Sequence, residues 1–265
     1  MSRTTTDAAA AEKPHLSHTQ IGMLLRCGRQ YEFRYVHGLK IPPSGAMVQS
    51  RAWHQAVEHN YRQKIQSDRD LPVAEVQELF AARFDEGVEA EEIAFDPGEN
   101  PGRLKDQGVG IVAAHHEVIA PAVRPALVEE RFRLDLGEEF PFDLVGVWDL
   151  VERDGTVADN KCYGRAPRQE DLDKDLQFTA YSLAYRASRN EVEPGLHMDA
   201  VVKTKRPKAL QLHTKRTNDD CRWFLGLVED VARAIRSGVF YPNPTGWSCS
   251  PRFCGYHERC RSRGR

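Results

Sequence analysis

The chain of 265 residues is 40% hydrophobic and 29% charged, ordinary proportions for a folded globular protein and too apolar for wholesale disorder. Its 37 Lys and Arg against 39 Asp and Glu leave a net charge of −2, which excludes bulk positive charge as the means of holding a polyanion; any such site must come from local clustering. No stretch approaches the roughly 18 apolar residues that a membrane span needs, and the start, MSRTTTDAAAAEKPH, has no signal-peptide core, so the expectation is a cytoplasmic protein with 1–15 as a flexible leader.

Ser17-His18-Thr19-Gln20 has the form of a capping box. It predicts a helix that carries Ile21, Leu24, Leu25, Tyr31 and Tyr35 at helical spacing and stops at Gly38 with Pro42-Pro43. Helices are predicted over about 50–66 and 73–91, a Pro- and Gly-rich loop over 95–108, and another helix over 109–119. The period then changes. Segments 126–135, 142–151 and 156–163 read as strands, and helical spacing returns over 172–187. Two more strands, 198–205 and 209–214, meet across Arg206-Pro207, and a helix over 217–237 precedes a Pro-rich tail. This order predicts an α/β fold with a mixed central β-sheet flanked by helices. It divides the chain into a helical N-terminal region (16–125) carrying Cys27 and His54, a core (126–240), and a cysteine-bearing tail (241–265).

The strands 142–151 and 156–163 hold the most informative residues. Asp149 interrupts an apolar strand, and Asp159 and Lys161 interrupt the next at i and i+2, so that they project from one face. Buried charges cost several kcal/mol unless paired or bound to metal, so three together suggest a site. A two-residue loop at Asp154-Gly155 would set Asp149 opposite Asn160 and turn it away from Asp159. A three-residue loop with a left-handed Gly155 places Asp149 on the face of Asp159 and Lys161, and that parity is the prediction. His54 on the predicted second helix, and Gln177 and Tyr181 four apart on the helix after the hairpin, carry little weight singly.

Six cysteines are too few for a disulfide framework at this length, but Cys249, Cys254 and Cys260 crowd into twelve residues of the tail. In a cytosolic chain such crowding points to metal, with Cys27 as the fourth thiolate. Four thiolates suit an iron–sulfur cluster or structural zinc, and His257 is an alternative to Cys27 for zinc. Cys162 and Cys221 read as packed residues. Basic residues cluster late (Lys203, Lys205, Arg206, Lys208, Lys215, Arg216, Arg222, Arg252, Arg259, Arg261, Arg263, Arg265), while the balancing acids lie mostly in 75–139, which suggests a positive surface beside the site.

In sum, His54, Asp149, Asp159-Asn160-Lys161 and Gln177-x-x-x-Tyr181 resemble the motif series of the RecB-like branch of the PD-(D/E)XK nucleases. The opening, Leu16-Ser17 through Cys27-Gly28-Arg29-Gln30-Tyr31 and Tyr35 to Lys40, is similar to that of the CRISPR-associated and phage-encoded exonucleases of that branch. The resemblance runs from about 16 to 260 and implies a restriction-endonuclease-like nuclease core, with an iron–sulfur region joining the two ends of the chain. It implies Mn²⁺ or Mg²⁺ held by His54, Asp149, Asp159 and the backbone carbonyl of Asn160, the nitrogen ligand favouring manganese. Lys161 would orient or help deprotonate the attacking water, and Gln177 and Tyr181 would hold the nucleic-acid strand, Tyr181 by stacking on a base. It likewise implies a [4Fe–4S] cluster on Cys27, Cys249, Cys254 and Cys260, with zinc as the competing occupant. The expected activity is a metal-dependent DNA exonuclease on single-stranded or end-frayed DNA, in phage recombination or replication or in CRISPR spacer processing. A homo-oligomer, or a recombination or CRISPR protein as partner, stays open. The alternatives are a noncatalytic DNA-binding accessory subunit with the same fold and cluster, against which the presence of Asp149, Asp159 and Lys161 argues, and a zinc-stabilised interaction protein.

Overall fold

Ser17 starts the ordered architecture twice over. It ends β1 (His15–Ser17) and caps α1 (His18–Arg26) through the predicted box, its hydroxyl accepting from Gln20 N–H while the Gln20 side chain accepts from Ser17 N–H. The computed structural model describes residues 13–262, so most of the expected leader and the basic residues Arg263 and Arg265 lie outside the described residues. The predicted single first helix is broken at Cys27, which is extended (φ −166°, ψ 107°), and continues as α2 (Gly28–Tyr31) and a π-helical turn (Glu32–Val36). Gly28 is needed here, because a Cβ would lie 2.8 Å from the backbone nitrogen of Tyr241 in the tail.

Next come α3 (Gly45–Ser67), α4 (Val73–Ala90) and α5 (Pro101–Val118). The last begins eight residues before its predicted start at 109. Asn100 caps it through Arg103 N–H (3.2 Å) and Pro101 takes the first turn, where its missing N–H costs nothing. Gly108 lies inside the helix because the buried Phe80 ring occupies the space of its Cβ (1.9 Å from Cζ). Packing, not turn formation, accounts for that glycine.

The strands are β2 (Pro125–Leu134), β3 (Asp143–Glu152), β4 (Val157–Tyr163), β5 (Leu196–Val202) and β6 (Lys208–Thr214). Between β4 and β5 the predicted helix is divided into α6 (Gln169–Asp173) and α7 (Leu176–Arg189), because Asp175 caps the second through Gln177 N–H (2.8 Å). After β6, α8 (Asn218–Arg236) and the short α9 (His257–Arg261) complete the described chain. Among the described residues the six strands form one mixed sheet in the order β1-β3-β4-β5-β6, with β2 also paired to β3. One face packs on α1, α7 and α8 (Ile21, Phe178, Tyr181, Phe224, Val228), the other on α3, α4 and α5 (Trp53, Tyr61, Phe80, Phe84, Ile111). The predicted mixed sheet flanked by helices is the observed architecture.

The sheet forks along β3. β2 pairs with one edge along most of its length, so β1 (parallel, at 143–145) and β4 (antiparallel, at 150–151) share the other. Residues 146–149 lie between them and, among the described residues, pair with no strand on that edge. The turn after β3 is the predicted one: Glu152 N–H donates to Thr156 O (2.8 Å), leaving three loop residues, with Gly155 left-handed (φ +93°).

Candidate active site

The antiparallel register Val151–Val157 and Leu150–Ala158 sets Asp149 opposite Asp159. One step further the ladder would use Asn160 N–H, but there the strands part and the Asp149 carboxylate accepts it instead (Oδ2, 3.0 Å). Asp159 is 0% exposed and held on both oxygens. Its Oδ1 accepts from Gln177 Nε2 (2.6 Å) and the Tyr181 hydroxyl (3.1 Å), and its Oδ2 lies 2.7 Å from Lys161 Nζ. His54 reaches the fork from α3, with Nδ1 3.4 Å from Asp149 Oδ2 and 3.9 Å from Glu129 Oε1. The predicted residues His54, Asp149, Asp159, Asn160 and Lys161 thus surround one opening in the sheet.

The electrostatics follow from burial. Burial raises the Asp149 pKa well above the carboxylate range, the Asp159 charge adds to this, and His54 and Lys161 only partly oppose it. Lys161 is shifted far upward: burial disfavours its charge, but Asp159 and Asp149 outweigh that. His54 is raised in the same way, Glu129 and Asp149 overcoming its burial. Burial and the Lys161 charge lower His18 to about 4, against the Asp159 charge.

Gln177 and Tyr181 stand at the floor of the site, where both line a groove that leads from it. Tyr181 is 0% exposed, its ring in contact with Phe132 and Phe178, and both side chains hold Asp159 while lining the groove beside it. Two further residues were not legible in the sequence. Glu129 lies in β2 with no periodicity to mark it. His18, in the capping box, turns its ring edge-on to Tyr181 and leaves a buried Nδ1 without a hydrogen-bond partner. A groove of about 590 Å³ leads along the fork, lined by His15, His18, Thr19, Arg131, Arg133 and Asp149 among others. Two of the expected basic residues turn inward: Arg216 binds Leu172 O and Asp175 O, and Lys203 binds Gln49 Oε1.

Among the described residues, the single group of three or more His, Cys, Asp or Glu whose ligand atoms lie within 4.8 Å of one another is His54, Glu129 and Asp149. The cysteines are not drawn into such a set. Cys27, Cys249, Cys254 and Cys260 do line one cavity of about 30 Å³, with His257 in its wall. The Cys260 thiol is raised by burial and by the other three cysteines. Cys162 and Cys221 are packed as expected, the first pushed up to about 12 by burial.

A family model for the PD-(D/E)XK nuclease superfamily matches residues 15–261. In structure the chain is similar to the crystal structure of a protein of Eubacterium rectale provisionally designated an exonuclease. The TM-score is 0.57 at 12% identity, over 92% of this chain and 91% of that one, a likeness of fold. No curated protein matches the chain in sequence. No helix among the described residues is long and apolar enough to cross a membrane.

Proposed function

The chain belongs to the PD-(D/E)XK nuclease superfamily, and from that premise we propose that it is a divalent-metal-dependent DNA exonuclease acting on single-stranded or end-frayed DNA. The observation that carries this reading is the meeting of Asp149, Asp159 and Lys161 at the sheet fork, beside a groove with Arg131 and Arg133 in its wall. The donor chemistry fits the metal: an imidazole and carboxylates suit a hard or borderline divalent ion, Mn²⁺ better than Mg²⁺. His54, Asp149 and Asp159 would hold it, with the Asn160 carbonyl. When bound, such an ion activates water and offsets charge on the phosphate.

The chain's own residues do the rest. The groove takes the strand, Arg131 facing the phosphates while Arg133 is engaged by Asp143. Water oxygen bonds to phosphorus and its proton passes to solvent, while the P–O bond to the departing strand breaks and the departing oxygen takes a proton from solvent to leave as a hydroxyl. Lys161, 2.7 Å from Asp159, would orient or help deprotonate the attacking water and stabilise the negative charge gathering on the phosphate oxygens. Gln177 and Tyr181 keep Asp159 from rotating away. The four cysteines facing one cavity support a [4Fe–4S] cluster joining α1 to the tail, and His257 in the same wall supports zinc as the second reading. Phage recombination or replication, or CRISPR spacer processing, is the setting that the opening motif suggests.

The test is digestion of end-labelled single- and double-stranded DNA with Mn²⁺ or Mg²⁺ by the wild type and by Lys161→Ala. The variant is expected to keep its fold and lose about 10²-fold or more in rate. Equal inactivity of both proteins with retained DNA binding would favour the accessory-subunit reading. Undiminished cleavage by the variant would remove the chemistry from this hairpin.

A further inference from the structure

Glu129 lies inside β2 with φ 51°, a conformation that residues with a Cβ rarely adopt and that strand interiors do not call for. Its consequence can be read from the cores on either side of the sheet. Val128 packs with α3–α5 and Phe132 with α7 and α8, although residues four apart in an uninterrupted strand share a face. On β3, Leu150 and Trp148 divide in the same way. The pairs Val128–Leu150 and Glu130–Trp148 set Glu129 opposite Asp149, where both strands change face. The turnover brings the two carboxylates to His54, so that the three ligand atoms lie within 4.8 Å of one another. Asp159 stands outside this set, engaged by Lys161, Gln177 and Tyr181.

We propose that Glu129 is a further metal ligand, so that His54, Glu129 and Asp149 form a one-imidazole, two-carboxylate face for a Mn²⁺-type ion, delivered by the left-handed backbone of Glu129. The assignment rests on the nuclease reading for the use made of the ion and adds to it the donor that sets affinity and choice of metal. A further carboxylate donor beside a nitrogen ligand favours Mn²⁺ over Mg²⁺, which keeps more of its water.

The test uses the full chain stripped with EDTA. Mn²⁺ is titrated against it with free ion read by electron paramagnetic resonance, and melting is followed with and without Mn²⁺. Glu129→Gln removes the charge and keeps the size. Glu129→Gly removes the donor and suits φ 51° without strain. Both variants are expected to lose about tenfold or more in Mn²⁺ affinity. Glu129→Gly is further expected to melt in EDTA at or above the wild-type temperature while losing the Mn²⁺-induced rise. Asn190→Gly, which relieves a left-handed helix cap elsewhere (φ 54°), should leave affinity unchanged. Wild-type Mn²⁺ affinity in either Glu129 variant overturns the proposal. A wild type that binds Mn²⁺ through Glu129 yet cuts no DNA overturns the nuclease reading and leaves the ligand standing.

Discussion

His54 meets two carboxylates at the fork, and they raise its pKa against the effect of burial. A metal needs that imidazole neutral and Asp149 ionised, while the surroundings raise the pKa of both groups. The sign follows: binding must expel protons, so Mn²⁺ affinity should rise with pH across the range in which these groups titrate. Calorimetric titration in two buffers of different ionisation enthalpy should show net proton release, reduced in His54→Gln. Unchanged release in that variant would place the proton elsewhere. Tyr181 is known chemically from the sequence, but its role depends on burial. Spacing alone puts Gln177 and Tyr181 on one helix face; only the packing of α7 on the sheet shows that both groups point at Asp159. Tyr181→Phe should keep the ring contacts with Phe132 and Phe178 and lower the cleavage rate with little change in melting temperature.

Among the elements, α5 and β5 show how packing overrides local signals. Pro101, Gly102 and Gly108 read as a loop, yet Pro suits the first turn and Gly108 is small because Phe80 lies against it. Gly108→Ala would raise helix propensity in an isolated peptide; in the protein it should destabilise by about 1–3 kcal/mol through overpacking, measurable by urea unfolding. On β5, His197 donates toward Asp199 (3.1 Å) and Glu152 (3.0 Å) on its two ring nitrogens. Burial opposes its charge, but these bonds prevail and raise it to about 9. A raised folded pKa gives stability that is full below the unfolded value of roughly 6.5 and is lost as pH rises through about 9. The melting temperature of the wild type should therefore fall relative to His197→Gln as pH rises through that window. A constant difference would show that His197 is neutral in the fold.

For the whole molecule, the decisive feature is that residues 27–40 meet the cysteine-bearing tail. Arg29 N–H donates to Tyr241 O (3.2 Å), the Tyr256 hydroxyl donates to Leu39 O (2.7 Å), and Phe33 packs on Tyr256, bringing Cys27 to the tail cysteines. A group bound by those thiolates would close a loop of more than two hundred residues and tie its own binding energy to folding. Cys27→Ser should therefore lose bound iron or zinc by elemental analysis and leave the tail more open to limited proteolysis. A broad visible absorbance in anaerobically purified wild type would select the iron–sulfur cluster, and a colourless protein with stoichiometric zinc the other occupant.

The sequence by itself determined the chemical inventory and the local geometry: the alternation that makes β3 and β4, the capping box at Ser17, and the loop parity that sets Asp149 opposite Asp159 through Gly155. These are properties of neighbouring residues, and neighbouring residues carry them. Only the tertiary structure decided which way the site's side chains turn. The left-handed backbone at Glu129 has no local signal, because a glutamate in a strand prefers the extended form, and the change of face appears only when two hydrophobic cores claim alternate ends of the same strands. The parallel pairing of β1 with β3, the break at Cys27 and the burial of Tyr181 are of the same kind: each is set by a segment more than a hundred residues away in the chain, or by a face of the sheet that periodicity cannot distinguish from the other.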